Sequence, residues 1–325
     1  MTFFNVNKIE FSLYKNSLFL FCYNVLSLDL KIALKNFFCR NLRVVSSNGL
    51  IEKSKKDKEN EIKTLAKYLS DNGYINGSVI RERQLELIKE LFDVDDLSFL
   101  EIVNPEINYK ESSYITPGSV FAQNCWINLV IKEAKKINLD IYNKEELLKC
   151  IPLMRSCTLK KAEDFYEGLQ KILAKCGVAF VILPYMPNSG IYGITKWLDK
   201  EHVVIGLSNR GKRADLFWFT FFHELGHVLQ GNKKTLYLSD NITADFGANK
   251  IAADFLIPKN EREAFTKKKD FTFTSVLDFA KQIKILPSIV LGRLHKENLL
   301  DYSKMDCDLK VNYIFKGKEI LTISA

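Results

Sequence analysis

The residues best suited to chemistry in this 325-residue chain are His223, Glu224 and His227, which form the sequence HELGH. On an α-helix, positions i and i+4 lie on one face, so the two imidazoles can bind one metal ion together. Imidazole nitrogens suit Zn²⁺, and two of them leave room for a third ligand and a water. Glu224 would take a proton from the zinc-bound water, whose pKa the metal lowers. The spacing therefore predicts a zinc peptidase site.

Chance is a poor explanation for this motif. The chain contains only four histidines, so a random H-E-x-x-H has odds of about a few in a thousand. The motif lies on a helix predicted over about 214–230 and ended by Gly231. Nearly all other positions of this helix are apolar, which predicts that the helix is buried on most sides. Buried polar groups without partners cost about a few kcal/mol each, so the histidines and the glutamate need partners. A hydrogen-bonded histidine pair in the core, or a site that kept its ligands and lost activity, stays open as an alternative.

A third metal ligand has to come from another segment. The next predicted helix, about Thr243–Leu256, contains Asp245 and Asp254, nine residues apart and therefore on opposite faces. We predict Asp245, which shares its face with Asn249, as the third ligand. Asp240 in the preceding loop is the alternative.

Helices and strands must position these groups, and their order indicates the fold class. Thr158 is a candidate cap for a helix that ends near Gly177. Three short strand-like runs follow, separated by Pro, Gly, Asn or charged residues. They are joined too closely for parallel crossovers, which predicts an α+β fold with a small, mainly antiparallel sheet. The predicted strands are Val178–Leu183, Ile191–Leu198 and His202–Leu207, and the later helices are about Ser275–Ile283 and Pro287–Glu297.

The first half of the chain is predicted to be helical. Apolar residues at helical spacing mark one helix through Ile62, Leu65 and Leu69 and a second through Ile80, Leu87, Ile88 and Leu91, and a third is predicted over about Ser119–Ile137. We divide the chain into an N-terminal extension of unknown role (1–75), an α-helical connecting region (76–155) and the domain that carries the motif (156–325). The apolar run Leu18–Leu28 is too short to cross a membrane, so we expect no membrane association.

Composition narrows the compartment and the partners. The seven cysteines are odd in number and include no C-x-x-C pair, which argues against a disulfide framework or a cysteine zinc site and favours a reducing, cytoplasmic compartment. The net charge of +8 is compatible with nucleic acid but is more typical of a solvated surface.

Several other residues have plainer interpretations. His202 and His295 lack a partner at ligand spacing and are interpreted as structural. Thr220, one turn before His223, is either a hydrogen-bond partner of a ligand histidine or a packing residue. The segment Phe279–Leu294 has the rhythm of a helix-turn-helix, but a packed helix pair is the simpler interpretation.

The motif and the helix after it resemble a known family. HELGH followed by D-x-x-A-N-K-x-A-A-D-F-L-I-P is similar to the ImmA/IrrE family of zinc metallopeptidases. This resemblance implies a zincin-like core in which the HExxH helix packs on the small sheet. It also implies that His223 and His227 bind zinc, that Glu224 is the catalytic carboxylate, and that Asp245 is the third ligand, where the family usually has glutamate.

Residues from about 90 to 310 resemble one subgroup most, namely HigA-type antitoxins and XRE-type regulators fused to an ImmA/IrrE domain. The resemblance implies a zinc-dependent endopeptidase that acts on a specific protein substrate such as a repressor. It leaves open an antitoxin-like transcriptional regulator of a toxin–antitoxin module, which binds a cognate toxin and uses the zinc domain as a sensor or scaffold. DNA is a further candidate partner, although no helix-turn-helix is evident in residues 1–75.

Overall fold

A four-stranded sheet is the platform on which the histidine-bearing helix rests. The structure is a computed structural model, and it describes residues 55–101, 119–233, 235–239, 245–303 and 309–324. The strands in the sheet follow the order β1-β3-β2-β4. They span Val178–Leu183 (β1), Gly193–Trp197 (β2), Val203–Ser208 (β3) and Tyr237–Ser239 (β4).

The pairing of the strands confirms the predicted class. β2 is antiparallel to both β3 and β4, so the sheet is mainly antiparallel and the fold is α+β. One pair, β1 with β3, is parallel. A parallel pair needs a crossover of about a dozen or more residues. Residues 184–202 form this crossover between β1 and β3, and they include β2.

Eleven α-helices surround this sheet in the described part of the chain. Five helices come first, a sixth leads into β1, a seventh carries HELGH, and four more follow the seventh. Their bounds are Lys55–Asp71 (α1), Arg81–Phe92 (α2), Val120–Ala134 (α3), Lys144–Lys149 (α4), Ile151–Ser156 (α5), Ala162–Ala174 (α6), Ala214–Gln230 (α7), Phe246–Leu256 (α8), Lys259–Lys267 (α9), Phe273–Ile283 (α10) and Pro287–Lys296 (α11). Short 3₁₀ turns cover Leu97–Glu101 and Cys157–Leu159.

The sheet is covered on both faces, as alternation along β1 shows. Val178, Phe180 and Ile182 belong to the core formed with α6 and α7. The residues between them, Ala179 and Val181, belong to a second core formed with α1 and α3. Because both sets are buried, β1 appears in the sequence as a continuous apolar run.

Most of the predicted helices are present, with local corrections. The helix α7 spans Ala214–Gln230, and its C-cap is Gly231, whose φ of 74° suits a glycine. Ile80 does not line the face of α2, because it precedes the helix and is 72% exposed. Thr158 does not cap α6, whose N-cap is Lys161; its hydroxyl instead accepts a hydrogen bond from the Leu286 amide.

The two helices α10 and α11 form a packed pair. Six of the ten residues of α11 are buried, so most of this helix packs into the domain. This arrangement agrees with the simpler interpretation of Phe279–Leu294.

A C-terminal hairpin, Val311–Lys316 (β5) with Glu319–Ser324 (β6), was not predicted. Tyr313 of β5 joins it to the main domain, since its hydroxyl accepts a hydrogen bond from the indole of Trp218 in α7.

The remaining sequence expectations concern membrane association, the cysteines and the domain boundaries. No helix among the described residues has the length and apolar character needed to cross a membrane. The four cysteines in the described ranges, Cys125, Cys150, Cys157 and Cys176, are free thiols. The segment Leu18–Leu28 lies outside the described residues. The boundaries at 75 and 155 stay predictions.

Candidate metal centre

The centre is formed where α7 and α8 approach each other closely. Gly226 lies between the two histidines of α7, and a Cβ at this position would come within 3.3 Å of the Ala248 backbone in α8. The absence of a side chain therefore lets the helices pack tightly. As a result, donor atoms of His223, His227 and Asp245 lie within 4.8 Å of one another.

The separations of these donor atoms fit a tetrahedral zinc ion. The two histidine Nε2 atoms are 3.1 Å apart, and two nitrogens on one tetrahedral zinc are about 3.3 Å apart. Asp245 Oδ2 lies 3.5 Å from His227 Nε2, again close to a tetrahedral separation. The donor atoms of all three residues lie within 4.8 Å of one another. The three residues would hold the ion and leave a fourth position open.

His223 is oriented by a hydrogen bond from its other ring nitrogen. Its Nδ1 donates to Asn249 Oδ1 at 3.0 Å, so Nε2 keeps its lone pair for a metal. Burial lowers the pKa of the His223 imidazole, with Asn249 and Asp245 acting in the opposite direction. Burial, reinforced by His223, also lowers the pKa of His227. Metal binding requires neutral imidazole, so both shifts favour the ligand form.

His227 is held differently. Its ring is stacked on Tyr237 of β4, with the ring centroids 3.9 Å apart and the planes 13° from parallel. Its buried Nδ1 has no partner with hydrogen-bond geometry among the described residues, although the Gln230 side chain is near enough to favour the charged ring. Stacking on Tyr237 is therefore the contact that restricts rotation of this second imidazole.

Asp245 lies at the N-cap of α8 rather than inside the helix. Its Oδ1 accepts a hydrogen bond from the Ala248 amide at 2.9 Å, which leaves Oδ2 to face His227. A short side chain suits an N-cap, because its oxygen must reach back to the first turn. One carboxylate can thus both begin the helix and point an oxygen at the site.

Glu224 is completely buried behind the histidines. Thr195 of β2 donates a hydrogen bond to Glu224 Oε2 at 2.7 Å, and Ser239 of β4 also bonds the carboxyl group. The other oxygen, Oε1, has no hydrogen-bond partner among the residues that the structure describes. Burial raises the pKa of Glu224 to about 8, against the lowering effect of Ser239 and Thr195.

The neighbouring strands β2 and β4 contact Glu224 with one face of the sheet. In the sheet, Gly193 is paired with Ser239 and Thr195 with Tyr237, so all four residues face α7. A Cβ on Gly193 would come within 2.8 Å of Glu224 Oε1, so only glycine leaves room for this carboxylate.

The structure also places the residues that were alternatives or had plainer interpretations. Thr220 donates its hydroxyl to the Leu216 carbonyl within α7, and His223 Nδ1 donates to Asn249 rather than to Thr220. Asp254 is not in the donor group, and Asp240 lies outside the described residues. His202 pairs with Asp199 near the surface. His295 is buried against Tyr302, away from the described donor group.

Sequence reasoning missed four residues that contact the motif, namely Gly193, Thr195, Tyr237 and Ser239. Their contacts depend on the register between β2 and β4. A glycine and a threonine inside a predicted strand were the only signals, and neither specifies a partner.

A family of known proteins matches the part of the chain that contains this site. Residues 182–284 match the model of a peptidase family described as the IrrE N-terminal-like domain. The matched segment runs from the end of β1 through α10 and contains HELGH, Asp245 and the strands that support Glu224. No curated protein and no solved structure shows a significant match to the chain. The match supports the resemblance to the ImmA/IrrE family and indicates a peptidase-like domain, while the HigA-type subgroup stays a prediction.

Proposed function

We propose that this protein is a zinc-dependent endopeptidase that cleaves a specific protein substrate, such as a repressor, in the cytoplasm. One observation carries the proposal. His223, His227 and Asp245 converge at zinc-like separations beside a buried glutamate that keeps one carboxylate oxygen unpaired. The family match over residues 182–284 supports the same class of chemistry.

The chain's own residues divide the work of peptide hydrolysis. When bound, zinc lowers the pKa of a coordinated water and polarises a carbonyl group. Glu224 accepts a proton at Oε1, while Thr195 holds Oε2 in place. Burial raises the pKa of Glu224 in the metal-free fold, which makes the ionised carboxylate a stronger proton acceptor. A cation held by the neighbouring ligands would favour that ionised form. Asn249 keeps His223 in the tautomer that presents Nε2.

The test compares protein N-termini in cells that express the wild type or Glu224→Gln. This substitution preserves the size of the side chain and an oxygen for Thr195, but removes the base. We expect new N-termini in a small set of proteins with the wild type and none with Glu224→Gln, while zinc content is equal in both. Glu167→Gln, a change on the exposed face of α6, is the matched control and should cleave normally. Cleavage of the same sites by Glu224→Gln would refute the role of this residue.

The antitoxin-like regulator stays a prediction from the subgroup resemblance. A cognate toxin that copurifies with the protein would support that role.

A further inference from the structure

Different contacts orient the two ligand histidines. His223 is held by a hydrogen bond and His227 by stacking on Tyr237, a residue without an assigned role. The Asn249 amide accepts a hydrogen bond from His223, whereas His227 Nδ1 lacks a partner of hydrogen-bond geometry in the part of the chain that the structure describes. We propose that Tyr237 is a positioning residue that orients His227 for metal binding through its aromatic face. This inference rests on the proposed zinc site.

The stacking geometry explains how Tyr237 could replace a hydrogen bond. With the ring planes only 13° from parallel and the centroids 3.9 Å apart, rotation of the imidazole would drive its edge into the phenol ring. His227 Nε2 therefore stays aimed at His223 Nε2 and at Asp245 Oδ2.

Tyr237 can serve as a fixed surface because the sheet holds its backbone. It is paired with Thr195 of β2, the residue that hydrogen-bonds Glu224. The same pair of strands thus orients one metal ligand by stacking and the proton acceptor by hydrogen bonding. A shift of β4 would disturb both groups together.

The electronic character of the two rings favours the metal-bound state. Coordination to a cation withdraws electron density from an imidazole, and an electron-rich aromatic face attracts an electron-poor ring. The stack should therefore be stronger when His227 binds metal than when it is free. Tyr237 would then raise metal affinity in addition to restricting the ring.

The test measures zinc affinity by chelator competition and the visible spectrum of the Co²⁺-loaded protein. For Tyr237→Leu we expect zinc affinity to fall about 3- to 10-fold, from the worth of an aromatic pair, and the Co²⁺ bands to shift. Tyr237→Phe keeps the ring and should restore both. Leu238→Ala is the matched control, because it alters the same strand on the opposite face of the sheet. It should lower stability without changing the Co²⁺ spectrum.

A second pair of variants keeps the test decisive if Tyr237→Leu does not fold. Phenylalanine and pentafluorophenylalanine at position 237 have nearly the same shape but opposite ring polarity. Weaker zinc binding by the fluorinated variant than by Tyr237→Phe supports the proposal.

The outcomes separate this inference from the proposed function. Equal zinc affinity and equal Co²⁺ spectra for Tyr237→Leu and the wild type, or for the two ring variants, would overturn the role of Tyr237. A wild type that binds no zinc would overturn this role and the proposed zinc site together. A Glu224→Gln protein that still cleaves its substrate would overturn the proposed mechanism alone.

Discussion

Burial of Glu224 should make the stability of the zinc-free protein depend on pH in a way that Glu224→Gln removes. The carboxyl group has a pKa of about 8 in the fold, against an ordinary value of 4.5. A raised pKa means that the fold favours the neutral acid, so stability is fully present below pH 4.5 and is lost as pH rises through 8. Glutamine has no charge to bury and should not show this loss.

The magnitude follows from linkage. Each pH unit over which the unfolded glutamate is ionised and the folded one is not costs about 1.4 kcal/mol. The loss levels off as pH approaches the folded pKa. Between about pH 6.5 and 8, the wild type should therefore lose roughly 1 to 2 kcal/mol relative to Glu224→Gln. Titration of His223 and His227 is common to both proteins and cancels in this difference.

The assay is urea unfolding of chelator-treated protein at several pH values, with the two proteins compared at each pH. Glu167→Gln is the control, because Lys171 holds the pKa of this exposed carboxyl group below its usual range, so it does not titrate in this window. If the difference in unfolding free energy between the wild type and Glu224→Gln stays constant from pH 6.5 to 8, burial does not raise the pKa of Glu224 as stated.

Three further changes test the surroundings of the site. Gly193→Ala should destabilise the protein by about 1–3 kcal/mol in urea unfolding, because the added Cβ meets Glu224 Oε1; unchanged stability would contradict the close fit. Asn249→Ala should weaken zinc affinity about 10- to 100-fold in chelator competition, since His223 loses its orienting bond; equal affinity would remove Asn249 from the site. Asp245→Ser should lose zinc but keep the stability of α8, whereas Asp245→Ala should lose zinc and about 1 kcal/mol of stability as well; equal unfolding midpoints for the two would contradict the dual role.

The parts of the site that follow local rules could be predicted from the sequence. The bounds of α7 follow from its apolar positions and from Gly231, and the shared face of His223 and His227 follows from helical periodicity. Asp245 could be separated from Asp254 by the same periodicity. That Asp245 would be the N-cap was not predicted, although aspartate is a preferred N-cap residue.

The parts that depend on tertiary register could not be predicted. The strand β4 has only three residues, too few for alternation to mark it as a strand. Tyr237 and Ser239 therefore had no pattern that connected them to His227 or Glu224. The parallel pairing of β1 with β3 was missed for a similar reason, because the connection between them was not recognised as a crossover.

The C-terminal hairpin was missed although the sequence contains a signal for it. Two runs rich in β-branched and aromatic residues, VNYIFK and EILTIS, are separated by Gly317-Lys318. Gly317 adopts a φ of 62°, as a tight hairpin turn requires. Two such runs joined by two turn residues are typical of a hairpin.

The most direct test of the central claim is the metal content of the purified protein by mass spectrometry, measured beside His223→Ala and Asp245→Ala. The account predicts close to one zinc per wild-type chain and loss of zinc in both variants. Zinc retained by Asp245→Ala would contradict the assignment of the third ligand. A wild type without zinc would contradict the metal centre itself.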